Sequence, residues 1–288
     1  MKDKNLMITG AAGQLGSKVM EILTQNFQGK LIAGSRHPEK LKVFEKSGVE
    51  LREIDFDQID TLEKGFLNVD KLLIISTDSL AVPGLRLKQH LNAIQAAKAA
   101  GVKHIVYTSL TGAEASPIFF SPDHYGTEEA IKASGLDYTI LRHNWYVENL
   151  LPSLVPAIQA GKIETSTADG KVAFISRDDC ARVDAYIMIS DKFKNVTIDV
   201  TGEKAYSYSE ISRYLSECVG HLVEHKRVSS SDLRNNLASQ QFPSFVIDLI
   251  STYEEAVTKG YQEKTNHFVR ELTGIAPKSL FDYIKDMR

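Results

Sequence analysis

The chain has 288 residues, 43% of them hydrophobic, and a formal net charge of −3 from 34 basic and 37 acidic side chains. This composition excludes a disordered chain and provides for a core of domain size. The missing basic excess argues against a nucleic-acid partner.

Residues 6–8 (LMI) predict a buried strand, a glycine-rich turn follows, and Val19, Ile22 and Leu23 then recur at helical spacing. Residues 31–33 predict a second strand, residues 39–46 a helix, residues 49–54 a third strand, and Leu62, Phe66 and Leu67 a short helix. Residues 71–76 (KLLIIS) read as a fourth strand. Leu87, Leu91, Ile94 and Ala97 line one face of a long helix that stops at Gly101, a suitable C-cap. Residues 104–109 form a fifth strand, a helix runs from about residue 122 to 134 and closes at Gly135, and residues 138–142 form a sixth strand. Strands alternate with helices and no tight hairpin joins them, which predicts an α/β fold with a doubly wound parallel sheet of the Rossmann type. Beyond Pro152 the rhythm changes: residues 152–175 are mixed, residues 177–190 helical, residues 196–200 a strand, and the remainder mostly helical. The expected organisation is a sheet domain over residues 1–151, to which 176–200 return, and a smaller α+β lobe over 152–288.

Other classes receive little support. No apolar run approaches the roughly 18 residues of a membrane span, and the short apolar stretch after residue 5 ends at Gly10, too soon for a secretory leader. Cys180 and Cys218 lie far apart without metal-type spacing, as suits a reducing cytoplasm. Of the eight histidines only His221 and His225 stand four residues apart, and no metal site is expected.

The most informative segment is Ile8-Thr9-Gly10-Ala11-Ala12-Gly13-Gln14-Leu15-Gly16. It places glycines at 10, 13 and 16 between a predicted strand and a predicted helix, the context that a dinucleotide-binding turn requires. Gly10 permits a tight turn, Gly13 lets the backbone approach a pyrophosphate, and Gly16 permits close packing of helix on strand. The helix beginning near Gln14 aims its first amides at the phosphates. An NAD site carries Asp or Glu about 20 residues further on, for the ribose 2′-hydroxyl. Here the second strand ends in Gly34-Ser35-Arg36-His37, and the cation at Arg36 suits the 2′-phosphate of NADPH. Asp55 and Phe56 follow the third strand, where they would bracket the adenine, and Ser76 and Thr77 end the fourth.

The opening ITGAAGQLG, AAKAAGVKHIVYTSL at 96–110 and ILRHNWYVENLL at 140–151, with DGK at 169–171 and RDD at 177–179, resemble the NmrA-like atypical branch of the short-chain dehydrogenase/reductase superfamily, in its group of quinone and triphenylmethane-dye reductases. The resemblance spans nearly the whole chain. It implies cofactor contacts from Gly10 to Leu15, from Arg36, from Ser76, Thr77 and Asp78, and from His143, Asn144, Trp145, Tyr146 and Glu148.

One position departs from the superfamily. Its usual Tyr-x-x-x-Lys pair is here Tyr125 followed by Glu129, and a carboxylate raises a phenol pKa rather than lowering it. Glu128 and Glu129 read as solvent-facing helix residues. The remaining candidates for catalysis are His124, Tyr125 and Asn144. His124 would donate a hydrogen bond or proton, or serve structure alone. Without a dedicated acid, a quinone or cationic dye is a better acceptor than a simple ketone, because its reduced form is a stabilised anion or a neutral product. Trp145 would stack on a flat substrate or the nicotinamide, or pack in the core. FPSF at 242–245 reads as core of the smaller lobe or as a lid. The expected function is an NADPH-dependent reductase of a small conjugated acceptor. The alternative is a non-catalytic NAD(P)-binding redox sensor.

Overall fold

A computed structural model of the chain describes residues 4–286. The elements follow in chain order as β1 (Asn5–Ile8), α1 (Gln14–Asn26), β2 (Lys30–Ser35), α2 (Lys42–Glu45), β3 (Glu50–Glu53), α3 (Ile59–Gly65), β4 (Lys71–Ile74), α4 (Leu85–Ala99), β5 (His104–Leu110), α5 (Ser121–Ala133) and β6 (Asp137–His143). They continue as α6 (Val147–Ala160), β7 (Lys162–Thr165), β8 (Lys171–Val172), α7 (Arg177–Met188), β9 (Val196–Val200), β10 (Tyr206–Ser207), α8 (Tyr208–Val219), β11 (Glu224–Arg227), α9 (Ser230–Ser239), α10 (Ser244–Thr258), α11 (Phe268–Thr273) and α12 (Leu280–Asp286). The helix expected over 39–46 is a 3-10 turn at Pro38–Leu41 running into α2.

Seven strands form one sheet in the order β3-β2-β1-β4-β5-β6-β9. β1 pairs in parallel with β2 and β4, β2 with β3, and β4 with β5. The order reverses between β1 and β4, so the fold is doubly wound and its crevice lies at the carboxyl ends of those two strands. The apolar runs have their cause here. Leu6, Met7, Ile8, Leu72, Leu73 and Ile74 have no solvent exposure, since helices cover both sheet faces.

The chain divides into two compact units. The first holds the described residues up to Leu110, Pro122–Arg142 and Arg177–Ile198; the second holds Thr111–Ser121, His143–Ser176 and the described residues from Asp199 onward. In the first unit α1 packs on α7, and the ammonium of Lys71 donates to the carbonyls of Ile187 (2.6 Å) and Ser190 (2.7 Å), capping the end of α7. In the second, β11 pairs in parallel with β7, β10 pairs antiparallel with β8, and Ser207 and Glu210 form a reciprocal capping box at the start of α8.

Three local readings need correction. The expected mixed stretch from Pro152 begins inside α6, which runs through Pro152 and Pro156. Each proline removes one helical hydrogen bond, and burial of Val147, Leu150 and Leu154 holds the helix together. The FPSF stretch is not core, because Phe242 is 41% exposed and its neighbours are exposed or half-buried. The buried face of α4 is also rotated from the apolar stripe. Leu91 is exposed, whereas Arg86, Gln89 and His90 are buried. Burial of those three polar side chains is tolerable because each has protein partners.

Candidate active site

The glycine turn lies at the carboxyl end of β1, at the switch point. Gly10 has φ +60°, a left-handed conformation that favours glycine. The Ala11 amide donates to the Gly34 carbonyl (3.0 Å) and the Gly13 amide to the Gly10 carbonyl (2.9 Å), which fixes the loop. Gly13 is the N-cap of α1 and makes no side-chain cap bond, so a ligand there meets backbone alone. A Cβ added at Gly16 would be driven into the Gly10 carbonyl oxygen and lie 2.8 Å from the Ala11 Cα. Both neighbours are backbone and cannot swing aside. Gly16→Ala is therefore expected to destabilise the fold by about 1–3 kcal/mol and to distort the turn enough to lose dinucleotide binding. Thermal melting and a cofactor titration on the folded fraction measure both effects.

Arg36 is exposed, one residue beyond β2, and among the described residues no carboxylate lies within ion-pair distance of it. Ser35 is buried, and its hydroxyl oxygen accepts the His37 amide (3.0 Å) in a local turn. Asp55 accepts from the Asp57 amide (3.0 Å) and the Gln58 side chain (3.1 Å), so its carboxylate is spent on its own loop. Phe56 is buried, and its carbonyl accepts from Asn92 of α4 (3.0 Å).

Past β4, the Ser76 amide donates to Thr108 Oγ1 (3.0 Å) and the Thr77 amide to His90 Nε2 (3.0 Å). The Thr77 hydroxyl is itself buried and has no hydrogen-bond partner among the described residues. A buried orphan hydroxyl is costly. Together with the side-chain-free cradle of Gly10, Gly13 and Gly16, it fits a dinucleotide lying across the ends of β1 and β4. Asp78 is exposed.

The candidates on α5 separate. Tyr125 is 40% exposed. Glu129 is exposed and pairs with Lys132 (2.8 Å). His124 is buried, with Nε2 2.9 Å from Arg86 and Nδ1 2.8 Å from the Tyr107 hydroxyl. Arg86 can only donate, so neutral His124 carries its proton on Nδ1 and donates it to Tyr107. Glu128 corrects the solvent-facing reading. It is fully buried, accepts a bidentate pair from Arg142 (2.8 and 2.7 Å), and accepts from Ser109 Oγ (2.6 Å). Sequence inspection misses this group because its members lie 14 and 19 residues from Glu128 and share no local pattern.

In the second unit the segment after β6 is held by its own side chains. His143 Nδ1 lies 2.9 Å from the Tyr146 hydroxyl. Asn144 is buried; its Nδ2 donates to the Gln262 carbonyl (2.9 Å) and its Oδ1 accepts the Trp145 amide (2.7 Å). Trp145 stacks on Tyr253, with centroids 4.0 Å apart and planes 24° apart. Glu148 lies in the first turn of α6 and is half-buried.

A doubly wound sheet with a glycine cradle at its switch point defines a dinucleotide-binding α/β protein. The chain belongs to the NAD(P)H-binding family, whose model matches residues 10–190, and it is an NAD(P)H-dependent oxidoreductase. Quinone oxidoreductase 2 of Escherichia coli is 33% identical over 256 residues, covering 88% of each chain. The structure of an NADPH-dependent quinone oxidoreductase of Escherichia coli complexed with NADPH superposes with a TM-score of 0.93 at 31% identity, over 98% of this chain and 99% of that one. A Citrobacter triphenylmethane reductase superposes with a TM-score of 0.90 at 31% identity, over 98% of both chains. The family and fold expected from the motifs are borne out.

Proposed function

We propose that the chain transfers hydride from NADPH to a quinone or a similarly conjugated small-molecule acceptor in the cytoplasm. The observation that carries this reading is the cradle at the β1–α1 turn, with the exposed cation of Arg36, which meets no carboxylate among the described residues, just past the neighbouring strand. The names of the quinone and triphenylmethane-dye relatives support the acceptor class. The first unit binds the cofactor: Gly10 to Gly16 receive the pyrophosphate, Arg36 the 2′-phosphate, Phe56 the adenine side, and Ser76 and Thr77 the nicotinamide half.

When bound, the nicotinamide supplies the hydride. The protein aligns donor and acceptor and excludes water. No general acid of the Tyr-Lys kind stands on α5, since Glu129 occupies the lysine position and Tyr125 reaches solvent. His124 is engaged by Arg86 and Tyr107 inside the first unit. An acceptor that stabilises its own reduced form needs no such acid, which favours quinones and cationic dyes over simple ketones. The test is steady-state NADPH oxidation against quinones, a cationic dye and simple ketones. Turnover confined to the conjugated acceptors supports the reading, and ketone turnover at similar kcat/KM overturns it.

Cofactor choice has its own test. Arg36→Asp is expected to weaken NADPH binding by about 1–3 kcal/mol, because repulsion replaces a charge-assisted pair. NADH, which lacks the 2′-phosphate, should change far less. Both cofactors are titrated at one salt concentration, since exposed charges are screened. Equal weakening of both cofactors would remove Arg36 from the 2′-phosphate site.

A further inference from the structure

His90 sits on the buried face of α4 with no solvent exposure. Its Nε2 accepts the Thr77 amide (3.0 Å), which places its proton on Nδ1 when the ring is neutral. That Nδ1–H donates to Thr127 Oγ1 (2.9 Å), and Thr127 passes its own proton to the Asp123 carbonyl (2.6 Å). Each bond has one direction, so the tautomer is fixed by the neighbours. The ring also lies edge-on to Phe56 (6.4 Å, 81°) and to Tyr107 (5.5 Å, 70°). One imidazole thereby joins the loop after β3, the end of β4, β5 and α5.

The consequence falls on Thr77. β4 ends at Ile74, so no strand ladder fixes the Thr77 backbone. The bond from its amide to His90 does so, and its side-chain hydroxyl is left buried and unmatched at the switch point. We propose that His90 is a positioning residue for the cofactor: by holding the Thr77 amide it presents the Thr77 hydroxyl to an oxygen of the dinucleotide. This rests on the NADPH reading given above. His90 acts through Thr77 and does not itself touch the reacting atoms.

The test is a double-mutant cycle on NADPH Kd, read by fluorescence titration of the full-length protein, with wild type, Thr77→Val, His90→Met, His90→Gln and Thr77→Val with His90→Met. Loss of one hydrogen bond predicts about a ten-fold rise in Kd for Thr77→Val and a similar rise for His90→Met. The double variant should be little worse than either single one, because the two residues serve one contact. His90→Gln, whose carbonyl reaches the position of Nε2, should restore most of the affinity. kcat at saturating NADPH should change much less than KM. A Thr77→Val Kd equal to wild type overturns the proposal by itself, even if His90→Met fails to fold. So do fully additive effects, or a His90→Gln variant as weak as His90→Met. Failure of wild type to bind NADPH would instead overturn the cofactor reading, so the two outcomes stay distinct.

Discussion

Glu128→Ala is expected to cost about 3–5 kcal/mol of folding stability, the penalty for stranding one member of a buried ion pair. Glu128 is fully buried under α5, between the guanidinium of Arg142 on β6 and the hydroxyl of Ser109 on β5. Removing it takes the bidentate carboxylate from Arg142, whose side chain is 14% exposed, and the acceptor from a buried serine. For a chain of this size the loss corresponds to a fall in Tm of about 10 °C. Glu128→Gln should lose much less, since its amide oxygen still accepts from Arg142. Thermal and urea unfolding of both variants measure the difference. A loss below about 1 kcal/mol for the alanine variant would show that the pair is not an anchor between β5, α5 and β6.

The second large effect is acid unfolding. Burial pushes His90 down to about 3, with Arg86 adding to the shift. Burial also pushes His104 down to about 3, with Lys71 as the next contributor. His104 Nε2 lies 2.8 Å from Thr139 Oγ1, whose own proton goes to the Phe193 carbonyl, so the ring donates there as a neutral imidazole. Both folded pKa values lie below the ordinary histidine value of 6.5. Above pH 6.5 neither state binds these protons and the stability is complete. As the pH falls from 6.5 toward 3, the unfolded chain takes up protons that the folded chain refuses, and stability falls by about 1.4 kcal/mol per pH unit per histidine. At pH 4.5 the two together remove about 5 kcal/mol, a large part of a typical total. Cooperative unfolding between about pH 4 and 5 is the expected result. His104→Asn should flatten the slope of stability against pH between 6 and 4.5 by about 1.4 kcal/mol per unit. An unchanged slope would mean that His104 titrates normally in the folded protein.

How much of this was legible depends on how far each signal travels along the chain. The strands were legible because a parallel sheet covered on both faces demands continuous apolar runs, as in residues 6–8 and 71–74. The glycine turn was legible because its constraints are local: a positive φ at Gly10 and no room for a Cβ at Gly16 both act within seven residues. The proposal for Arg36 comes from the sequence alone, as a cation where an NAD site carries a carboxylate. The polar interior was not. Arg86, Gln89 and His90 are buried because of partners on other elements, and the apolar residue on the same helix that should have been inside, Leu91, is out. Glu128 looked like its exposed neighbour Glu129 because only the distant Arg142 and Ser109 set them apart. The course of α6 through two prolines was hidden for a related reason, since local propensity opposes a helix that its buried apolar face sustains.

The most direct measurement is an anaerobic single-turnover experiment in which the NADPH-loaded protein is mixed with a small quinone and the nicotinamide absorbance is followed by stopped flow. Hydride transfer predicts one equivalent of NADPH oxidised per quinol formed, at a rate that falls when the transferable hydrogen is deuterium. Tight NADPH binding with no loss of absorbance, against quinones and cationic dyes alike, would contradict the account and leave a dinucleotide sensor in place of an enzyme.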